Sequence, residues 1–235
     1  TLAFAAAIER MLERYDWQVV TAQFNLLNSH DTARNLWALD GDASGVRLCL
    51  LLQMTLPGAP CIYYGEEIGM NGGPDPGCRG AFPWDEKESW DGEMLGFYRQ
   101  AIALRHSYSA LRTGAYRTLV AAGDIFGFSR SICDDPTSSD TATEDNCPAE
   151  DQLIVLFNRA RSEARLAVPL AGKGKEGESD TALSSPTFRV VWPPGAAGQT
   201  NCARNGTLWD LTIPPREALI LEGAASSQSA ASEEG

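Results

Sequence analysis

The sequence predicts an α/β unit followed by an all-β one: the last strands and helices of a (β/α)8 barrel, then an antiparallel β-sandwich. Three observations lead there. An apolar run, Phe24-Asn25-Leu26-Leu27-Asn28, ends abruptly in Ser29-His30-Asp31, as a buried barrel strand does when its carboxyl end opens into a site. Helical and strand-like segments alternate through the first half, in the order helix, strand, helix, strand, helix. Past Arg112-Thr113-Gly114 the pattern changes to short β-like segments separated by polar turns. The expected division is residues 1–111 for the barrel portion, 112–222 for the sandwich and 223–235 for a disordered tail.

The first helix is read from Phe4, Ile8, Met11 (with Leu12) and Tyr15, a helical repeat over residues 2–15 with one buried face. After a short connection comes the strand around Phe24–Asn28, which is expected to be core. A helical turn or two should follow Asp31, then a break at Asp40–Asp42. Residues 45–56 form a helix apolar on most sides through Leu48, Leu50, Leu51, Leu52 and Met54, hence largely buried, and Pro57-Gly58 stops it. Ala59–Tyr64 is a short strand ending at Gly65-Glu66-Glu67. The loop Gly69–Asp91 is rich in Gly, Pro and Asp; a loop this long is functional or disordered, and Phe82, Trp84 and Trp90 argue against disorder. Met94–Leu104 is the next helix. Strands are then expected at Tyr116–Val120, Ile125–Arg130, Leu153–Asn158, Arg165–Pro169, Phe188–Trp192, Thr207–Leu211 and Ala218–Leu221. Asp134–Asp151 and Ala171–Ser185 have the composition of mobile segments.

Composition narrows the functional classes. With 235 residues, 43% hydrophobic and 21% charged, most of the chain should fold. A formal net charge of −12 argues against nucleic-acid or anionic-membrane partners, which require cationic surface. No apolar run is long enough to span a bilayer. No cationic segment precedes an apolar stretch in signal-peptide order. The compartment stays open, with the cytoplasm favoured. Six cysteines in so long a chain do not make a disulfide scaffold. Cys49 and Cys61 read as buried thiols, Cys78 lies in the Gly-rich loop, and Cys133 and Cys147 flank an acidic stretch where oxidation would let them pair. No His/Cys cluster suggests a metal, and no pattern calls for a cofactor.

Four stretches carry chemistry-bearing residues. In the first, Asp31-Thr32 has the residue types of a helix cap and His30 those of a hydrogen-bonded core histidine. The chemical reading is that the Asp31 carboxylate accepts from two adjacent hydroxyls and stabilises developing positive charge, His30 donates to another hydroxyl, and Arg34 pairs with a carboxylate. The second stretch, Leu56 to Gly69 with Tyr63-Tyr64-Gly65-Glu66-Glu67, reads as packing, although Glu66 with Asp31 forms an alternative carboxylate pair. The third, Gly72-Gly73-Pro74-Asp75-Pro76-Gly77-Cys78-Arg79 followed by Phe82-Pro83-Trp84-Asp85, offers Asp75 and Arg79 as hydroxyl partners and Trp84 as a stacking face. The fourth, Ile102 through Gly114, reads as a structural junction, with His106 outside catalysis.

Phe24–Arg34 resembles the seventh-strand motif of the α-amylase superfamily of glycoside hydrolases, most closely its neopullulanase, cyclomaltodextrinase and related α-glucosidase branch. The Gly-Gly-x-Asp-Pro-x-x-Arg pattern at 72–79 resembles the same branch. The resemblance covers residues 1–130 well and continues weakly to Leu221; the acidic insertion at 134–151 departs from it. It implies that His30 and Asp31 grip the glucose at the cleavage point, with Asp31 the transition-state stabiliser, that Arg34 is the branch's arginine on the substrate side, and that Asp75 and Arg79 contact glucose units on the non-reducing side. It also implies an α-glucan oligosaccharide or polysaccharide substrate, and it leaves open whether the full-length enzyme is a homodimer. The superfamily's nucleophile, in a Gly-x-Arg-x-Asp strand end, and its acid/base Glu have no counterpart before Phe24; Glu9, Glu13 and Asp16 lie on or beside a helix. The expectation is therefore the C-terminal portion of a retaining hydrolase of α-1,4 glucosidic bonds, with α-1,6 bonds left open. The alternatives are a non-catalytic amylase-like protein and a carbohydrate-binding module formed by the sandwich.

Overall fold

The computed structural model describes residues 1–132, 152–169, 187–194, 202–205 and 208–224. Helix α1 spans Leu2–Leu12 and buries Ala5 and Ile8. The helical repeat expected through Tyr15 breaks at Glu13, and the supposed connection contains a second short helix, α2, Trp17–Ala22. Strand β1, Phe24–Leu26, is followed by α3, Asn35–Ala38, then α4, Ala43–Thr55, and β2, Ala59–Cys61. β1 and β2 run parallel, pairing Phe24 with Ala59 and Leu26 with Cys61. Parallel neighbours need a crossover of this kind, and a helical one is the usual solution.

Both ends of α4 are tied down by side chains. At its start Asp42 Oδ1 accepts from the Gly45 N–H at 3.0 Å. Hydrogen bonds from Ser44 and Gly45, together with the Arg216 charge, hold the Asp42 carboxyl below its usual range. At its end the last carbonyls have no intrahelical donors. Arg105 supplies them at Met54 (2.7 Å) and Leu56 (3.2 Å), and Arg130 at Thr55 (2.5 Å). Burial lowers both guanidinium pKa values, Arg105 to about 10 and Arg130 to about 9. Gly58 follows at φ +115°, and a Cβ there would lie 2.6 Å from Asn25 Oδ1. The Pro57-Gly58 stop is therefore also a close approach to β1.

Helix α5, Gly92–Ser107, is capped by Asp91 and leads into α6, Ser109–Thr113. The remainder is β: β3 Ala115–Ala122, β4 Ile125–Ser131, β5 Gln152–Asn158, β6 Ala164–Pro169, β7 Thr187–Trp192, β8 Cys202–Asn205, β9 Leu208–Ile213 and β10 Glu217–Ala224. They form an antiparallel five-stranded sheet, β3-β4-β5-β10-β7, and a three-stranded one, β6-β9-β8. β8 was not legible in the sequence. β10 extends two residues into the expected tail; residues 225–235, the stretches 134–151 and 171–185, and Cys133 and Cys147 all lie outside the described residues.

The central strands β5 and β10 of the five-stranded sheet are buried on both faces, which explains the unbroken apolar run in β5. Leu153, Val155 and Phe157, with Ala218 and Ile220 of β10, pack against Leu50, Leu51, Met54, Tyr98 and Leu111 of the helices. Their neighbours Ile154, Leu156, Leu219 and Leu221 point the other way and meet Leu211 and Ile213 of β9. The expected division at residues 111 and 112 is thus crossed by one continuous apolar cluster.

Two burial expectations are corrected. β1 is not enclosed: Phe24 is 72% and Leu26 54% exposed, because β1 has a single strand neighbour, whereas parallel strands become core only when both faces are covered. Of Cys49, Cys61 and Cys78, the last is buried and the other two are half-buried. Among the described residues no helix is long and apolar enough to cross a membrane.

Candidate active site

The parallel pairing of β1 and β2 sends both chains out at the same end, and the candidate residues gather there. After β1 the chain folds into a tight turn: the Ser29 N–H donates to Thr32 Oγ1 at 2.9 Å, and the Asp31 N–H donates to Ser29 Oγ at 3.2 Å. These bonds absorb Thr32 into the turn. α3 starts four residues after Asp31, with Arg34 as its first boundary residue and no side-chain cap. Asp31 is therefore not a helix cap, and its side chain is 69% exposed, as His30's is 66%.

The loop beyond β2 brings Asp75 and Arg79 to this turn. Arg79 Nε donates to the His30 carbonyl at 3.0 Å and sits 2.9 Å from Asp75 Oδ1, while Arg79 Nη2 lies 3.5 Å from Asp31 Oδ1. His30 Nε2 is 3.4 Å from the same Asp31 oxygen. Two carboxylates, a guanidinium and an imidazole thus share one exposed patch. Exposed ion pairs of this kind hold by about 1 kcal/mol or less, so hydroxyl groups compete for them readily. The carboxylates accept from hydroxyls; the guanidinium and a protonated imidazole nitrogen donate to them.

The loop is ordered by its own contacts. The Asp91 N–H donates to Ile68 O at 3.1 Å and closes its base; the Arg34 N–H donates to Gly72 O at 2.9 Å; Tyr64 Oη donates to Gly80 O at 2.7 Å. Gly72 is required by close approach, since a Cβ there would lie 2.3 Å from Gly77 O. A short 3-10 turn at Gly77–Arg79 presents Cys78 and Arg79 to His30.

Arg34 occupies a different place from the one expected. It is fully buried and pairs with Glu66, at 3.2 Å, rather than with Asp31. Its guanidinium also donates to the Tyr64 carbonyl at 2.7 Å and lies 4.8 Å from the ring centres of both Tyr63 and Tyr64. With no exposed surface Arg34 reaches no ligand directly. Glu66 is equally enclosed and also accepts from the Asn35 N–H. Burial pushes its carboxyl above the usual range, opposed by Asn28, Arg34 and Asn35. The alternative carboxylate pair of Asp31 and Glu66 is thereby set aside: Glu66 is committed to holding the loop exits.

The same loop carries aromatic groups. Trp84 is 67% exposed, its ring 4.3 Å from Phe82, which in turn meets Trp90 edge-on at 5.4 Å. Trp37 was missed by sequence reasoning; it is half exposed and lies against Gly73 of the loop. No signal near Trp37 in the sequence links it to a loop so far ahead. His106 sits in the last turn of α5, its carbonyl bound by Arg112.

The site and its flanking helices coincide with a known family. Residues 2–92 match the α-amylase catalytic domain, so this stretch resembles the α-amylase superfamily. Within it, the chain is 41% identical over 221 residues to neopullulanase 2 of Thermoactinomyces vulgaris, covering 93% of this chain and 32% of that protein. It is 37% identical over 172 residues to a cyclomaltodextrinase of Geobacillus thermopakistaniensis, covering 73% of this chain and 27% of the relative. Among solved structures, the debranching enzyme of Nostoc punctiforme superposes with a TM-score of 0.68 at 34% identity, covering 94% of this chain and 39% of that one. The chain thus spans about a third of the length of these curated relatives or less.

Proposed function

We propose that this chain is the C-terminal portion of a retaining α-glucan hydrolase that cleaves α-1,4, and also α-1,6, glucosidic bonds. Asp31 is the transition-state stabiliser: its carboxylate grips ring hydroxyls and faces the positive charge that develops on the sugar. His30 donates to a neighbouring hydroxyl, and Asp75 and Arg79 hold glucose on the non-reducing side. Arg34 serves this site through Glu66 and the loop exits. Retaining cleavage requires a nucleophile and an acid/base flanking the bond; these belong to the earlier barrel strands of the whole enzyme.

The observation that carries the reading is the convergence of His30, Asp31, Asp75 and Arg79 on one exposed patch from two loops more than forty residues apart. The uncovered apolar side chains of Phe4, Val19, Phe24, Leu26 and Leu27 support it too. They form the kind of surface that further barrel strands and helices would cover.

The test is Asp31→Asn in the intact enzyme, assayed on maltooligosaccharides and pullulan. The expected result is a kcat loss of about a thousandfold with the melting temperature unchanged, the size of effect seen when one electrostatic stabiliser is removed. The 235-residue chain alone should hydrolyse neither substrate. Full activity of the variant, or glucan binding by the intact protein without hydrolysis, would overturn the enzyme reading, the second in favour of a non-catalytic glucan-binding protein.

A further inference from the structure

The Asp31 side chain is held loosely. Its contacts to Arg79 and His30 are 3.5 and 3.4 Å long and it is largely exposed. Its aim is therefore set by its backbone, above all by the His30–Asp31 peptide plane. That plane is clamped at both edges. On one edge the Asp31 N–H donates to Ser29 Oγ. On the other, the His30 carbonyl receives two donors at once, the Cys78 thiol at 3.1 Å and Arg79 Nε at 3.0 Å. A peptide unit is rigid, so fixing its oxygen and its N–H fixes the Asp31 Cα and the N–Cα axis about which the side chain turns.

The group applying this clamp is itself immobilised. Cys78 is fully enclosed. Its 3-10 turn is closed by the Gly77 N–H to Pro74 O at 2.7 Å and the Arg79 N–H to Pro76 O at 3.0 Å. The turn rests on Gly72, where no side chain fits. A thiol is a weak donor, but this one is fully enclosed with the His30 carbonyl at hydrogen-bond distance.

We infer that Cys78 is a positioning residue for the catalytic turn: its thiol, with Arg79 Nε, fixes the His30 carbonyl and so orients Asp31 toward bound glucan. The inference rests on the proposed role of Asp31. Cys78 touches no substrate and acts only through the peptide it holds.

Cys78→Ala and Cys78→Ser, compared with Asp31→Asn, test it. In the 235-residue chain, Cys78→Ala should raise amide exchange across residues 29–32 several-fold and leave α4 and β5 unchanged, and Cys78→Ser should restore protection. In the intact enzyme, Cys78→Ala should lower kcat about fivefold, the worth of one modest hydrogen bond, at unchanged KM and melting temperature, with Cys78→Ser within twofold of wild type. Wild-type kcat in Cys78→Ala beside an inactive Asp31→Asn would overturn the positioning role and leave the hydrolase reading standing. Equal losses in the alanine and serine variants together with a lowered melting temperature would show a packing role and overturn it as well. An active Asp31→Asn would overturn both readings.

Discussion

Two arginine–carboxylate clusters lie within one loop system and behave in opposite ways. Arg34 and Glu66 are sealed off, at 0% and 3% side-chain exposure, with tyrosine rings over the guanidinium. Arg79, Asp31 and Asp75 lie open at 48%, 69% and 52%. The sealed cluster cannot exchange partners, so it sets where two strand exits stand. The open one faces solvent, and under the proposed function it trades protein contacts for sugar hydroxyls. On that reading the same residue types serve as frame in one place and as grip in the other, and solvent access decides which.

The sharpest way to break the contrast is Arg34→Ala, which leaves the Glu66 carboxylate buried without its counter-charge. Removing one partner of a buried pair costs about 3–5 kcal/mol, so the chain should lose most of its cooperative unfolding transition in urea. Next comes Arg130→Met, which strips donors from the carbonyls of Thr55, Gly114 and Ala115. We expect a loss of about 2–4 kcal/mol, read by the same denaturation. Arg79→Ala should change stability by about 0.5 kcal/mol or less while weakening maltooligosaccharide affinity in the intact enzyme; a large drop in melting temperature would show that the open cluster is also frame.

A further effect shows only at high pH. Burial pushes the Tyr116 phenol up to about 12. Between pH 10 and 12 the unfolded chain has released this proton and the folded chain still holds it. The folded state then binds more protons, so stability falls as pH rises through that window. Below pH 10 the contribution is complete. Tyr116→Phe should shallow the decline in melting temperature between pH 10 and 12.

How much of this was legible in the sequence depended on range. His30, Asp31, Asp75 and Arg79 were singled out because each sits in a compact motif that resembles the family's, and the structure sets the four side by side. Arg34 was read as facing a ligand because its fate is decided by Tyr64 and Glu66, 30 and 32 residues on, and no local pattern announces burial. Cys78 gave no sign of its partner for the same reason. Helices α4 and α5 were found within two to three residues because apolar spacing and Asp caps are local signals. β1 was read as core from its own residues, yet burial of a parallel strand depends on its neighbours. β5 and β10 were legible as strands; that their two faces serve two different partners was not.

The sharing of the α4 terminus has a practical corollary. One guanidinium arrives from the helical half and the other from the sheet half, and both close the same three-residue stretch, Met54 to Leu56. Cutting the polypeptide near residue 112 would part Arg130 from the Thr55 carbonyl and peel an apolar lining from both pieces. The sheet half is thus no transplantable module: fusing residues 112–224 to another scaffold should yield aggregates, and any redesign of this protein must treat its helices and its sheets as one inheritance.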